Sequence, residues 1–286
     1  MIAKYILCLT LFIKNIIKYK LIFGFFMTGI YFSGTGNSKY CLEYFLECYT
    51  DNYKIFSIEE LNNNKELINE ISNDENIFIS YPVYFSSVPR ILMEFVNSNG
   101  NIFNNKKVFI IATMYMFSGD GAGVLARKLK KYKANIIGAL HLKMPDSISD
   151  GKFTCKTVEH NTNMIIKTKL KIEKTANLLK NGQYTKDGLG FVSFMLGYLS
   201  QRVWFGNRNF SNKLKINANK CIGCGKCVKL CPMKNLNLNE NKKACSNYNC
   251  TLCYRCVNEC PVQAITLLGK KVFSQYSIKE CLNLLK

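Results

Sequence analysis

The chain has 286 residues, 48% of them apolar, which allows a full α/β domain with a smaller companion and excludes wholesale disorder. Its formal charge is +20, but 34 of its 39 basic residues are lysine, beside 32 asparagines. Readers of phosphates and base edges lean on the planar fork of arginine, and no nucleic-acid module accompanies the charge, so the excess reads as compositional bias, not a nucleic-acid surface. Of fourteen cysteines, eight form two tight runs late in the chain, unlike the spread bridges of a short secreted scaffold. They point to metal ligation in a reducing compartment, the cytoplasm.

Residues 1–26 are apolar but carry lysines at 4, 14, 18 and 20, and the longest early uncharged stretch, Tyr5 to Ile13, is nine residues. A membrane span needs about 20 residues, and no small-residue cleavage site follows. Two readings stay open: an amphipathic anchor, or a start at Met27, where the first strand begins at once.

From Thr28 onward, strand and helix patterns alternate. Strands are expected at 28–32, 53–58, 75–85 (ending at Pro82), 106–117 and 134–142, with helices through 38–48, 124–132 and 158–180. Alternation of this kind predicts a parallel sheet covered on both faces, here over residues 27–182. Residues 183–212 form a connector whose uncharged run, Gly188 to Gln201, suits a buried or interfacial segment docking the two halves together. Residues 213–270 form the second domain and 271–286 a tail.

That second domain repeats with a period of 29 residues: Cys221, Cys224, Cys227 and Cys231 recur as Cys250, Cys253, Cys256 and Cys260. Both runs read C-x2-C-x2-C-x3-C-P. Zinc commonly takes paired C-x2-C runs but gains nothing from a third evenly spaced cysteine and a trailing proline. Gly223 and Gly225 suit a close approach of backbone to inorganic sulfide. The other six cysteines read as small hydrophobes.

Residues 213–268 resemble a bacterial ferredoxin with two 4Fe–4S clusters. Residues 27–268 as a whole resemble the fused flavodoxin–ferredoxin proteins found mainly in anaerobic bacteria. The resemblance implies that the fourth cysteine of each run serves the opposite cluster. One cluster would then lie on Cys221, Cys224, Cys227 and Cys260, the other on Cys250, Cys253, Cys256 and Cys231. It also implies a flavodoxin-like sheet ordered 2-1-3-4-5, followed by a small α+β two-cluster ferredoxin domain.

The first strand leads into "SGTGNSK". A P-loop would need Ser or Thr after its lysine, and a dinucleotide loop a third glycine where Lys39 stands; both patterns fail. What remains can cradle one terminal phosphate: Ser33, Gly34, Thr35, Gly36, Asn37 and Ser38 at a helix N-terminus. The loop resembles the FMN-phosphate loop of flavodoxins. In such a sheet the ligand lies at the carboxyl ends of the strands. The candidates there are Pro82, Tyr84 and Phe85 after the third strand, and Thr113, Met114, Tyr115, Phe117, Ser118, Gly119, Asp120 and Gly121 after the fourth. The aromatics can flank an isoalloxazine ring, and Asp120 is the one acid expected beside it. His141 and His160 fit no catalytic motif and read as structural.

The expected function is electron transfer between FMN and two 4Fe–4S clusters, and onward to a redox partner protein. Residues 213–270 hold ten Lys/Arg against two Asp/Glu, a balance of +8, which suits an acidic partner. The alternative is a ferredoxin-type carrier whose flavodoxin-like half is a docking module without flavin.

Overall fold

Short β-rich runs separated by helical stretches pair as parallel neighbours, because each crossover helix returns the chain to the same end of the sheet. The computed structural model describes residues 27–203 and 212–286. The anchor and start-site readings of residues 1–26, and residues 204–211 of the connector, lie outside the described residues. The strands are β1 (Met27–Tyr31), β2 (Tyr53–Ser57), β3 (Asn76–Pro82), β4 (Lys107–Met114) and β5 (Asn135–Lys143). They form one sheet in the order β2-β1-β3-β4-β5, all parallel, as the sequence predicts.

Alternate residues of the central strands enter separate cores. Ile77, Ile79, Tyr81 and Ile110 pack with Leu92, Phe95 and Leu125 on one face. Phe78, Phe109, Ile111 and Leu140 pack with Leu42, Phe45, Ile165 and Ile172 on the other. Two buried faces explain the nearly unbroken apolar runs of β3 and β4. The helices Asn37–Tyr49 and Val158–Lys180 lie where the pattern places them. The helix expected at 124–132 begins earlier, spanning Gly121–Lys130. Three further helices, Ile58–Asn63, Lys65–Ser72 and Arg90–Asn99, escape the apolar pattern. A capping box between Ser57 and Glu60 starts the first of them.

The second domain has two short antiparallel pairs: Lys215–Ile216 with Ile265–Thr266, and Leu236–Leu238 with Ala244–Ser246. Val257, Leu236, Ile265 and Leu267 form its small core. The tail folds back, and its helix Ile278–Asn283 sinks Ile278 and Cys281 into the flavodoxin-side core. The connector departs from expectation. Its helix Phe191–Gly197 leaves Phe191 75% and Val192 70% exposed, so its apolar side chains do not dock the halves together. The halves meet through other residues.

Candidate cofactor sites

At the carboxyl ends of β1, β3 and β4 lies a cavity of about 250 Å³. Ser33, Gly34, Thr35, Asn37 and Ser38 line it from the first loop, Pro82, Tyr84 and Phe85 from the second, and Thr113, Met114, Tyr115 and Phe117 from the third. The loop after β5, Met144 to Ile148, adds a fourth side. Leu252, Tyr254 and Leu268 reach the same cavity from the second domain.

The first loop is held from within. Ser33 Oγ accepts the Gly36 N–H at 3.1 Å, and Gly36 turns the chain at φ 96°. Ser38 Oγ shares a 2.7 Å hydrogen bond with Thr113 Oγ1, tying the loop to β4. The Thr35 hydroxyl pairs with Ser147 at 2.9 Å. Asn37 uses both ends of its amide, donating to the Pro145 carbonyl at 2.8 Å and accepting from the Tyr276 hydroxyl at 2.7 Å. The first-turn N–H groups of the helix at Asn37 lack intrahelical acceptors, the condition for holding an anion. The cavity therefore fits a phosphate-bearing aromatic group, with the Asn37 side chain serving as a brace.

Five predicted residues lie outside the cavity lining. Gly36 stands under Ile278 of the tail helix. Asp120 is fully buried, and its carboxylate is taken by Arg127 at 2.5 Å and Arg202 at 2.6 Å. One partner more than a turn of helix away and another in the connector hold it away from the cavity. The Gly121 carbonyl accepts the Tyr81 hydroxyl at 2.9 Å. Ser118 and Gly119 line a second, larger cavity with both histidines and Lys143, Lys167 and Lys171. There Ser118 Oγ lies 3.0 Å from His141 Nε2, and burial lowers the imidazole pKa to about 4.

The cysteines gather in two groups that cross the repeat. Cys260 joins Cys221, Cys224 and Cys227 around one hollow, beside Gly225, Pro261 and Ile265. The Cys227 thiol is raised by burial, and the charges of Cys221, Cys224 and Cys260 add to the rise. Cys256 is likewise raised by burial, then by Cys253, Cys250 and Cys231. Burial pushes Cys253 up to about 12, whereas the Ala244 N–H draws the Cys221 thiol below its usual range. Backbone N–H groups reach sulfur at matching places: Asn235 to Cys231 at 3.2 Å and Ala264 to Cys260 at 3.3 Å. Among the described residues, no three of His, Cys, Asp and Glu converge as a single-ion site. Cubane thiolates each take a different iron and so stand around a cluster rather than on one point.

The backbone repeats as well. Gly223 and Gly225, at φ 71° and 69°, correspond to Leu252 and Tyr254 at 62° and 59°. The first loop meets this left-handed turn with glycine, and the second with side chains that strain it.

Contacts between the domains centre on the second loop. A Cβ on Gly34 would lie 2.1 Å from the Cys253 carbonyl oxygen, so only glycine allows this approach. Arg255 donates to the Ser33 carbonyl and to Glu59, each at 2.7 Å. Tyr254 donates to Asp150 Oδ1 at 2.8 Å. Asp150 Oδ2 accepts the N–H groups of Leu267, Leu268 and Gly269 at 2.6, 3.1 and 3.0 Å. Burial, then Asp150, raises the Tyr254 phenol above its ordinary range. The sequence reading missed Asp150, Tyr254 and the Met144–Ile148 loop. The signal was available for that loop, since it leaves the sheet at the same end as the other three.

Residues 30–146 match the flavodoxin domain family, and residues 213–271 the 4Fe-4S dicluster domain family. No curated protein matches the chain. Among solved structures, it is similar to Fusobacterium nucleatum flavodoxin bound to flavin mononucleotide (18% identity, 55% of this chain and 98% of that one, TM-score 0.39). It is also similar to two-electron reduced Megasphaera elsdenii flavodoxin (18% identity, 42% and 88%, TM-score 0.37). A flavodoxin, WrbA-like protein from Agrobacterium tumefaciens is a further likeness (12% identity, 55% and 98%, TM-score 0.40).

The first domain has a flavodoxin fold. The chain as a whole fuses that flavodoxin domain to a 4Fe–4S dicluster domain, an architecture of electron transfer.

Proposed function

We propose that this chain relays electrons between FMN and two 4Fe–4S clusters, and exchanges them with a redox partner protein. FMN takes up electrons singly or in pairs whereas each cluster carries one, so their union in one chain converts between the two modes. The observation that carries the reading is the cavity itself: its walls come from both domains, with Leu252 and Tyr254 standing between metal-ligand cysteines of the second run.

In this reading the helix N-terminus at Asn37 and the hydroxyls of Ser33 and Thr35 take the flavin phosphate. Tyr84, Phe85, Tyr115 and Phe117 enclose the ring and keep water from it. Cys221, Cys224, Cys227 and Cys260 hold one cluster, and Cys250, Cys253, Cys256 and Cys231 the other. The N–H donors on Cys231 and Cys260 stabilise negative charge on the ligand sulfurs, which raises the potential of the site they serve. The exposed face of the first run is the natural docking side for an acidic partner, since the domain carries a large lysine excess.

Stepwise anaerobic reduction of the full chain, followed by flavin absorbance and low-temperature EPR, tests the relay. The expected result is flavin bleaching together with two sets of iron–sulfur signals from one preparation. Iron–sulfur signals with no flavin response, even after FMN is added, would leave the carrier with an empty docking module.

A further inference from the structure

The two cysteine runs share a motif but not a neighbourhood. Leu252 and Tyr254, set between the ligands of the second run, line the cavity. Their counterparts Gly223 and Gly225 do not; they face Lys242 and Leu238 within their own domain. The second run also presses its Cys253 carbonyl against Gly34 of the phosphate loop, and its Arg255 grips the Ser33 carbonyl. Any change in the course of this loop therefore reaches the phosphate loop directly.

The loop holds a conformation that its own residues disfavour. Leu252 and Tyr254 sit at φ 62° and 59°, a region that side chains enter at a cost. Such backbone persists only where its surroundings over-determine it. Within this loop the fixing contacts are the Tyr254 bond to Asp150 and the Arg255 bonds, to which metal ligation by its cysteines would add.

We propose that the loop from Cys250 to Cys256 is a structural wall of the FMN site, so that flavin affinity is linked to metal loading of this loop and not of the Cys221–Cys227 loop. The inference rests on the reading of the cavity as the FMN site and of the cysteines as cluster ligands. Linkage is reciprocal: bound flavin protects the metal on the second loop by the same factor that the metal tightens flavin. The flavodoxin domain alone is then an incomplete site, and a chain that loses iron releases its flavin.

Two measurements on the full chain test this, both by quenching of FMN fluorescence on titration. The first compares iron-loaded and chelator-stripped wild type; the stripped chain is expected to bind FMN at least tenfold more weakly. The second keeps all eight cysteines. Leu252→Ala is expected to weaken FMN several-fold with its iron content unchanged, while Ile222→Ala on the first loop leaves the affinity within twofold. Equal affinity of loaded and stripped chains overturns the linkage, and wild-type affinity in an iron-replete Leu252→Ala chain removes the wall. A wild-type loaded chain that binds no FMN overturns the flavin reading itself, an outcome distinct from both.

Discussion

The two C-x2-C-x2-C-x3-C-P loops are near copies in sequence and backbone, yet they face different worlds. In the first, Cys224 is exposed and Ile222 stands 63% open to solvent. In the second, Tyr254 is 3% exposed and Cys253 7%, with the phosphate loop packed on top. A duplicated motif thus fixes how each loop turns around its ligands, while the surroundings decide what each loop serves. The outer loop faces solvent, and the inner loop faces the cavity between the domains.

The largest effect is expected from removing one ligand of the inner loop. Cys256→Ala is expected to lose about half the iron, with a lower melting temperature for both domains, since the inner loop is the joint between them. Calorimetry with iron analysis checks this, and unchanged iron would sink the ligand assignment. Gly34→Ala comes next. Its methyl group would overlap the Cys253 carbonyl, and forcing the domains apart costs roughly 3 kcal/mol. Thermal melting should fall sharply; a stability equal to wild type would mean that the two loops are not in contact.

Smaller changes sharpen the contrast. Tyr254→Phe removes one donor from buried Asp150 and should cost about 1–2 kcal/mol in denaturant unfolding. Its counterpart Gly225→Ala meets only Leu238 at 3.9 Å and should cost about 1 kcal/mol, from its left-handed φ alone. A Tyr254→Phe chain as stable as wild type would argue that the hydrogen bond to Asp150 contributes nothing. The smallest effect is one of pH. The His141 pKa falls from 6.5 in the open chain to about 4 in the fold, so the unfolded chain binds the extra proton. Its stabilising contribution is full above pH 6.5 and is lost as pH falls toward about 4. Melting at pH 7.5 and 5.5 should drop less in His141→Gln than in wild type, and parallel drops would show that His141 is not the group responsible.

What the sequence disclosed depends on the range of the forces involved. The cysteine runs, the glycine loop and the five strands are local patterns written in consecutive residues, and the strands form in the expected order, although the fourth, expected to reach Phe117, ends at Met114. Asp120 was misjudged because Arg202, which claims its carboxylate, comes from the connector and leaves no mark near residue 120. Asn37 looked like a phosphate donor, yet its amide nitrogen donates to the Pro145 carbonyl and its amide oxygen accepts the Tyr276 hydroxyl from the far end of the chain. Asp150 sits in an unremarkable "SISDGK" stretch, and only the fold brings it to the N–H groups of Leu267, Leu268 and Gly269. The connector shows the reverse failure. Its apolar composition suggested a buried or interfacial segment, and burial is not what its helix shows, with Leu196 51% and Phe191 75% exposed.

The most direct test of the account is the stoichiometry of the chain purified without oxygen. Iron and sulfide analysis, with absorption of the released flavin, should return about eight irons and one FMN per chain. About eight irons with no FMN bound, even after its addition, would contradict the claim that one chain carries both kinds of cofactor.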